Sequence, residues 1–315
     1  MFCTLPAPAA LINGHSYLAL RDWGRANGFS RSYACSRDTA IFTNRYSKVI
    51  FEKDSHVAEI NGINVALSFP VAEDKGEFLI AQMDAGKTLE PLVFPWKADD
   101  NKISTIAIDP GHGGKDPGNR VGWHSEKTYT LLLATELSQQ LKKAGFKTML
   151  TRTKDQYVDL DDRPNLANRH RADLFVSLHF NATASGKDRV SGAETYCITP
   201  VGASSSNAGG AGASYSRTLA NSVETESLLL AFEVQKALVK NLGATDRSVR
   251  RARFAVLRDA KMPAILVESG YMTHPTEGKK IYTPAYRRQI AAAIVKGILD
   301  YQRLTQPATK FSKSK

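Results

Sequence analysis

At 315 residues the chain is about twice the usual single-domain size, long enough for two domains that each bury a core. Its 42% apolar and 23% charged residues are those of an ordinary globular protein, and no stretch approaches the roughly 18 apolar residues of a membrane span. The net charge of +11 calls for an anionic partner, but the basic residues are dispersed and no zinc-finger or RNP-like aromatic pattern accompanies them, so nucleic acid is not expected.

The N-terminus, MFCTLPAPAALING, lacks the positive region and apolar core of a signal peptide. Either the protein stays inside the cell or this start lies downstream of the true one. Cys3, Cys35 and Cys197 form neither a disulfide framework nor a CxxC motif, so cysteine is not expected to hold a metal. Residues 1–96 read as short β runs with one helix near Leu18–Asn27, closed by Gly28. The β runs include Thr39–Thr43, Ser47–Phe51 and an Asn-Gly hairpin within Ile60–Val65. This small β-rich α+β domain carries no cluster of candidate ligands. The polar, proline-marked stretch Phe94–Lys102 holds the candidate linker, placed at 97–102.

Beyond it strands and helices alternate. Strands are expected at Ile103–Asp109, Lys147–Arg152, Ala172–His179, Gly192–Ile198 and Ala264–Glu268. Helices are expected at Glu126–Ala144, Leu160–Arg171, Ser227–Leu242 and Tyr286–Tyr301, the first with Leu133, Leu137 and Leu141 on one stripe. The pattern predicts an α/β domain over 103–304, a mostly parallel twisted sheet with helices on both faces, followed by a basic tail at 305–315. Between Thr199 and Glu226 lies a Ser/Gly/Ala-rich run without apolar periodicity, a solvated loop or a mobile lid.

Parallel sheets of this kind build their sites at the carboxyl ends of the strands. His112 stands there, in the loop Asp109-Pro-Gly-His-Gly-Gly114; a phosphate loop is excluded because Lys115 is followed by Asp116. Taken alone, such a histidine is as readily structural as functional. His179 also ends an apolar strand, and Glu126 begins the helix that follows the first loop. Two histidines and a glutamate form a ligand set typical of catalytic zinc, with a fourth position left for water. Glu268 ends the apolar strand Ala264–Glu268, where partial desolvation would raise its pKa toward that of a useful general base; the competing reading is a glutamate emerging into solvent. His124 and His170 read as surface residues, and Arg163 and Asn168 as packing and hydrogen-bonding residues that shape the site.

The segments IAIDPGHGGKDPG, SEKTYTLLLATELSQQLKKAGF, LTRTKDQYVDLDDRPNLANRHRADLFVSLHFNA and FAVLRDAKMPAILVESGYMTHPTEG, in that order, resemble the successive motifs of the zinc N-acetylmuramoyl-L-alanine amidases of the amidase-3 type. The resemblance implies zinc on His112, Glu126 and His179 and Glu268 as catalytic residue; Asn181, two residues beyond His179, reads separately as a residue that positions a substrate carbonyl. It further implies peptidoglycan as substrate, a role in wall turnover or daughter-cell separation outside the cytoplasmic membrane, and in some members a protein activator. Two departures stand out: Thr273-His274 replaces a usual serine–asparagine pair, and Thr199–Glu226 is longer than in a minimal member. In some relatives a helix inserted there covers the zinc. The glycine-rich composition argues against full occlusion here, although Glu224 and Glu226 can reach the metal in such an arrangement. INGHSYLALRDWGRANGF and VAEINGINVALSFPV resemble the small domain named after the N-terminal region of copper amine oxidases, which implies a wall-binding or spacing module and no oxidase activity.

Overall fold

The computed structural model describes residues 8–29, 31–36, 38–94, 103–207 and 212–305. The expected linker core at 97–102 and the basic tail beyond Thr305 lie outside the described residues.

The chain opens with the hairpin β1 (Ala10–Ile12) and β2 (His15–Ala19), then α1 (Leu20–Ala26), which ends as Gly28 turns left-handed at φ 69°. An antiparallel meander follows: β3 (Arg31–Ser36), β4 (Thr39–Thr43), β5 (Lys48–Glu52), β6 (Val57–Ile60) and β7 (Ile63–Ala66). The β6–β7 turn falls on Asn61-Gly62, both at positive φ (53° and 80°), which is the geometry this dipeptide favours. β8 (Ala72–Asp74) and β9 (Glu77–Ala81) complete a small sheet of order β1-β2-β9-β8. Trp23 is fully buried among Phe29, Phe42 and Phe51, with ring centroids 5.3–6.3 Å away.

A second helical stretch, not anticipated from the sequence, spans α2 (Gln82–Asp84), a π turn (Ala85–Leu89) and α3 (Glu90–Val93). Gly86 and Pro91 read as helix breakers. What holds the stretch is tertiary: the buried Asp84 carboxylate accepts the backbone N–H groups of Ser68 (2.8 Å) and Phe69 (3.0 Å) and the Thr88 hydroxyl (3.1 Å).

The α/β part comprises β10 (Thr105–Pro110), β11 (Arg120–Val121), β12 (His124–Ser125), α4 (Glu126–Lys143), β13 (Lys147–Leu150), α5 (Asp162–Arg169), β14 (Leu174–Asn181) and β15 (Ala193–Cys197). It continues with a 3-10 turn (Leu219–Val223), α6 (Glu224–Leu242), β16 (Asp246–Arg251), α7 (Ala255–Arg258), β17 (Ala264–Tyr271), α8 (Glu277–Ile281) and α9 (Pro284–Thr305). Its strands run β13-β10-β14-β17-β15-β16, every pairing parallel except β17 with β15. Helices α4, α6 and α9 cover one face and α5 and α7 the other. β14 sends Val176, Leu178 and Phe180 into one core and Phe175 into the other, which is why it reads as a continuous apolar run. The stripe Leu133, Leu137 and Leu141 is fully buried, as its spacing predicts.

β16 was not anticipated, because Asp246-Arg-Ser-Val-Arg-Arg251 holds one apolar residue. It pairs in parallel with β7 at Val249↔Val65, and Asn64 N–H donates to Asp246 at 2.7 Å. The meander and the α/β sheet thereby form one sheet of 11 strands over a shared apolar core.

The antiparallel direction of β15 corrects one expectation. Its carboxyl end, Cys197, lies at the edge where β17 begins, at the end of that strand away from Glu268. The start of α6 is fixed at that same far edge, where Ser227 Oγ accepts the Ala264 N–H at 3.1 Å. Glu224 therefore does not approach His112, Glu126 and His179; it pairs with Lys87 at 2.7 Å and accepts from Asn221 at 3.0 Å. The described part of Thr199–Glu226 is no lid over the carboxyl ends of β10 and β14.

Candidate metal centre

β10 runs into Gly111–Gly114, where His112 adopts a left-handed backbone (φ 62°) between Gly111 and the positive-φ Gly113. That conformation costs a non-glycine residue on the order of 1 kcal/mol and turns the imidazole toward the sheet edge. Two buried arginines hold the loop. Arg152 donates to the carbonyls of Pro110 (2.9 Å) and Gly111 (2.9 Å). Arg163 donates to Asp109 Oδ1 (2.8 Å), Pro110 O (3.0 Å) and His112 O (3.0 Å). Asp109, fully buried, also accepts the hydroxyls of Thr151 (2.5 Å) and Ser177 (2.7 Å).

His112 Nε2 lies 3.1 Å from Glu126 Oε2, and His179 Nδ1 lies 2.9 Å from Glu126 Oε1. The three donor atoms fall within 4.8 Å of one another. Asp116 Oδ2 engages His112 Nδ1 at 2.7 Å, which fixes the tautomer and leaves Nε2 to face the centre. Glu126, buried, accepts the N–H groups of Asn119 (2.9 Å) and Phe180 (3.1 Å). Burial alone raises its pKa, but hydrogen bonds from His112 and His179 outweigh that and hold the carboxyl well below the ordinary range. For His112 burial lowers the pKa, and the carboxylates of Glu126 and Asp116 reverse the sign, leaving it raised. An anionic carboxylate between two imidazoles is a donor set that fits a divalent cation of zinc's coordination chemistry.

Gly111 is required by close approach. A Cβ there would sit 2.3 Å from His179 Cε1 and Nε2. Gly111→Ala is expected to swing the His179 ring and weaken Zn²⁺ binding by about 10–100-fold, measured by competition with a chromogenic chelator. Unchanged affinity would show that the ring position does not depend on this glycine.

Glu268 on β17 stands opposite His179 in the parallel register and opposite Glu194 of β15 in the antiparallel one. Register partners point to the same face, so these three side chains form a row across three strands. Glu268 Oε2 is buried with no hydrogen-bond partner among the described residues. Burial, then the charges of Glu126 and Glu194, push its pKa well above the ordinary carboxylate value. Glu194 accepts Asn181 Nδ2 (2.6 Å), the Tyr196 hydroxyl (3.1 Å) and Arg250 Nη1 (2.9 Å). Asn181 thus sits at the same rim as Glu268, tied to Glu194.

The sequence reading missed Glu194 and Asp116. A buried acid inside the apolar strand Ala193–Cys197 is the same signal that singled out Glu268. Arg163 braces the site as expected, whereas Asn168 acts elsewhere, joining α5 to Asp259 O (2.7 Å) and Lys261 N (3.0 Å). His170 is exposed. His124 is not a free surface residue: its ring stacks on Tyr282 and lies tilted against Trp123, each at 3.6 Å between centroids, and it hydrogen-bonds the Tyr129 hydroxyl.

The Amidase_3 family, described as N-acetylmuramoyl-L-alanine amidase, matches residues 106–300. LytC of Bacillus subtilis is 34% identical over 199 residues, covering 63% of this chain and 36% of that protein. AmiC of Neisseria meningitidis is 33% identical over 229 residues, covering 66% of this chain and 55% of its own length. The chain thus spans about half or less of the length of these curated relatives. Among solved structures, AmiC2 of Nostoc punctiforme aligns with a TM-score of 0.54 at 33% identity, over 64% of this chain and 99% of that one. The CwlD amidase from Clostridioides difficile, solved in complex with the GerS lipoprotein, aligns with a TM-score of 0.52 at 25% identity, over 63% and 98%. A family match that begins in β10 and ends in α9 takes in well over half of the sequence, and this chain belongs to the Amidase_3 family of N-acetylmuramoyl-L-alanine amidases.

Proposed function

We propose that the protein hydrolyses the amide bond between the lactyl group of N-acetylmuramic acid and the first L-alanine of the peptidoglycan stem, using zinc held by His112, Glu126 and His179. The observation that carries this reading is the row formed by His179 and Glu268: a three-donor centre beside a half-buried carboxyl whose Oε2 is buried without a hydrogen-bond partner among the described residues. When bound, zinc supplies Lewis-acid chemistry, polarising the scissile carbonyl and lowering the pKa of water toward about 7.

The remaining work belongs to the chain. Glu268 accepts the proton of the attacking water at Oε2 and returns it to the departing amine nitrogen. The neighbouring Glu194 carboxylate raises the proton affinity of Glu268, and Arg250 pairs with Glu194 at 2.9 Å. Asn181, tied to Glu194 at the rim, is the proposed contact for a substrate carbonyl. Asp116 keeps His112 oriented, and Arg152 and Arg163 keep its loop rigid.

A wall substrate implies action in the periplasm or at the cell wall, and the net charge of +11 suits an anionic polymer. No helix among the described residues is long and apolar enough to cross a membrane. A protein activator is a proposed partner, on the ground that the related CwlD was solved with a lipoprotein. We also propose residues 1–96 as a wall-binding or spacing module joined by 97–102 to a catalytic domain at 103–304.

The test is mass spectrometry of soluble products from purified peptidoglycan, with a chelated sample alongside. Free stem peptides beginning with alanine, lost on chelation and restored by Zn²⁺, are the expected products. Fragments cut within the stem would replace the amidase by a peptidase, and release that survives chelation would remove the metal from the reaction.

A further inference from the structure

A cavity of about 520 Å³ lies where β7 joins β16, within the size range of small-ligand and peptide pockets. One wall comes from the N-terminal meander, with His56 and Asn64, and the other from the catalytic region, with Ser205, Ser206, Arg247 and Arg250. Neither part forms it alone. Its charge balance is positive. Asp246, the acid in the lining, is engaged by the N–H of Asn64 (2.7 Å), Gln235 Nε2 (2.8 Å) and the N–H of Ser248 (2.9 Å). Arg247 lines the cavity and has no carboxylate partner among the described ion pairs; its guanidinium lies 5.1 Å over the Tyr271 ring. A guanidinium that lines a cavity without a carboxylate partner suits an anionic ligand, which it can hold by charge-assisted hydrogen bonds.

The cavity is also placed in line with the centre. Arg250 donates to Glu194, Glu194 stands beside Glu268, and Glu268 stands beside His179. From β14 to β16 the sheet steps through β17 and β15. At about 4.8 Å per strand these three steps span about 14 Å, the length of about four residues of extended peptide.

Resting on the amidase reading above, we propose that this cavity is a subsite for the terminal carboxylate of a four-residue stem peptide, with Arg247 as its anchoring cation and the N-terminal module as its outer wall. The N-terminal module then helps read the length of the stem.

The test uses the full chain and two free tetrapeptide stems of the lysine type, one with a terminal carboxylate and one capped as the carboxamide, in isothermal titration calorimetry. The acid is expected to bind at least tenfold more tightly than the amide, and Arg247→Gln is expected to abolish the difference. In parallel, Arg247→Gln is expected to lose at least tenfold more kcat/KM on a muramoyl peptide with a four-residue stem than on one with a two-residue stem. Equal binding of acid and amide by the unmodified protein, no measurable binding of the acid, or discrimination retained by Arg247→Gln overturns the subsite. The calorimetric arm needs no turnover. A protein that binds the acid through Arg247 but hydrolyses neither muramoyl peptide would contradict the amidase reading and leave the subsite standing.

Discussion

Glu268→Gln is expected to lower turnover on purified peptidoglycan by about 10³-fold while the protein still takes up zinc. Glutamine matches glutamate in shape, so His179 and Glu194 keep their neighbour across the register. What disappears is the ability to accept a proton. The carboxyl it replaces is pressed by burial and by the charges of Glu126 and Glu194, so the neutral amide removes a repulsion and folding stability is expected to hold or rise. Product release by mass spectrometry, metal content by atomic absorption and a thermal melt separate the possibilities. Full activity would sink the proton-carrier role, and lost zinc with lost activity would move Glu268 from proton transfer to metal retention.

The second large effect falls on stability. Arg163→Met removes the partner of a fully buried carboxylate and leaves Asp109 with only the hydroxyls of Thr151 and Ser177. Breaking a buried ion pair from one side costs about 3–5 kcal/mol, because an uncompensated charge remains in a low-dielectric interior. At roughly 2–4 °C per kcal/mol for a larger domain, the melting midpoint should fall by about 10 °C. Arg163 also ties down the His112 carbonyl at 3.0 Å, so Zn²⁺ affinity should weaken in parallel. Pairing the change with Asp109→Asn should recover part of the lost stability, since the stranded charge is then absent. A midpoint within 2 °C of the unmodified protein, about 1 kcal/mol or less, would mean that the pair contributes little and that the hydroxyls alone satisfy Asp109.

Much of the α/β part was legible because its elements carry their own periodicity. β10, β14 and β17 are apolar runs, α4 has its leucine stripe, and each strand ends at a residue of evident chemistry: His112 just beyond β10, His179 two residues before the end of β14, Glu268 toward the end of β17. A strand's direction leaves no such local mark. β15 reads the same in either sense, and its antiparallel run sends the described part of Thr199–Glu226 to the far edge, away from His112, Glu126 and His179. Elements held by tertiary contacts were also hidden. β16 is a strand because β15 and β7 flank it, with Val249 as its buried apolar residue, and the stretch from Gln82 to Val93 is helical around the buried Asp84 despite Gly86 and Pro91. Glu194 carries the same mark as Glu268, an acid inside a strand, but its link to the site depends on a register partner, and no spacing within the sequence encodes which strand lies alongside.

The junction of β7 with β16 changes what the catalytic sheet exposes. A border strand presents unpaired amide and carbonyl groups to any passing chain, and arginines along it discourage such templating. β16, with Arg247, Arg250 and Arg251 in six residues, has the composition of a protected border strand, yet here it lies in the interior of the sheet. Adding the meander transfers that exposure outward, to β3 at the end of the 11-strand array, and the strand best defended against unwanted pairing becomes the one through which a second module is annealed.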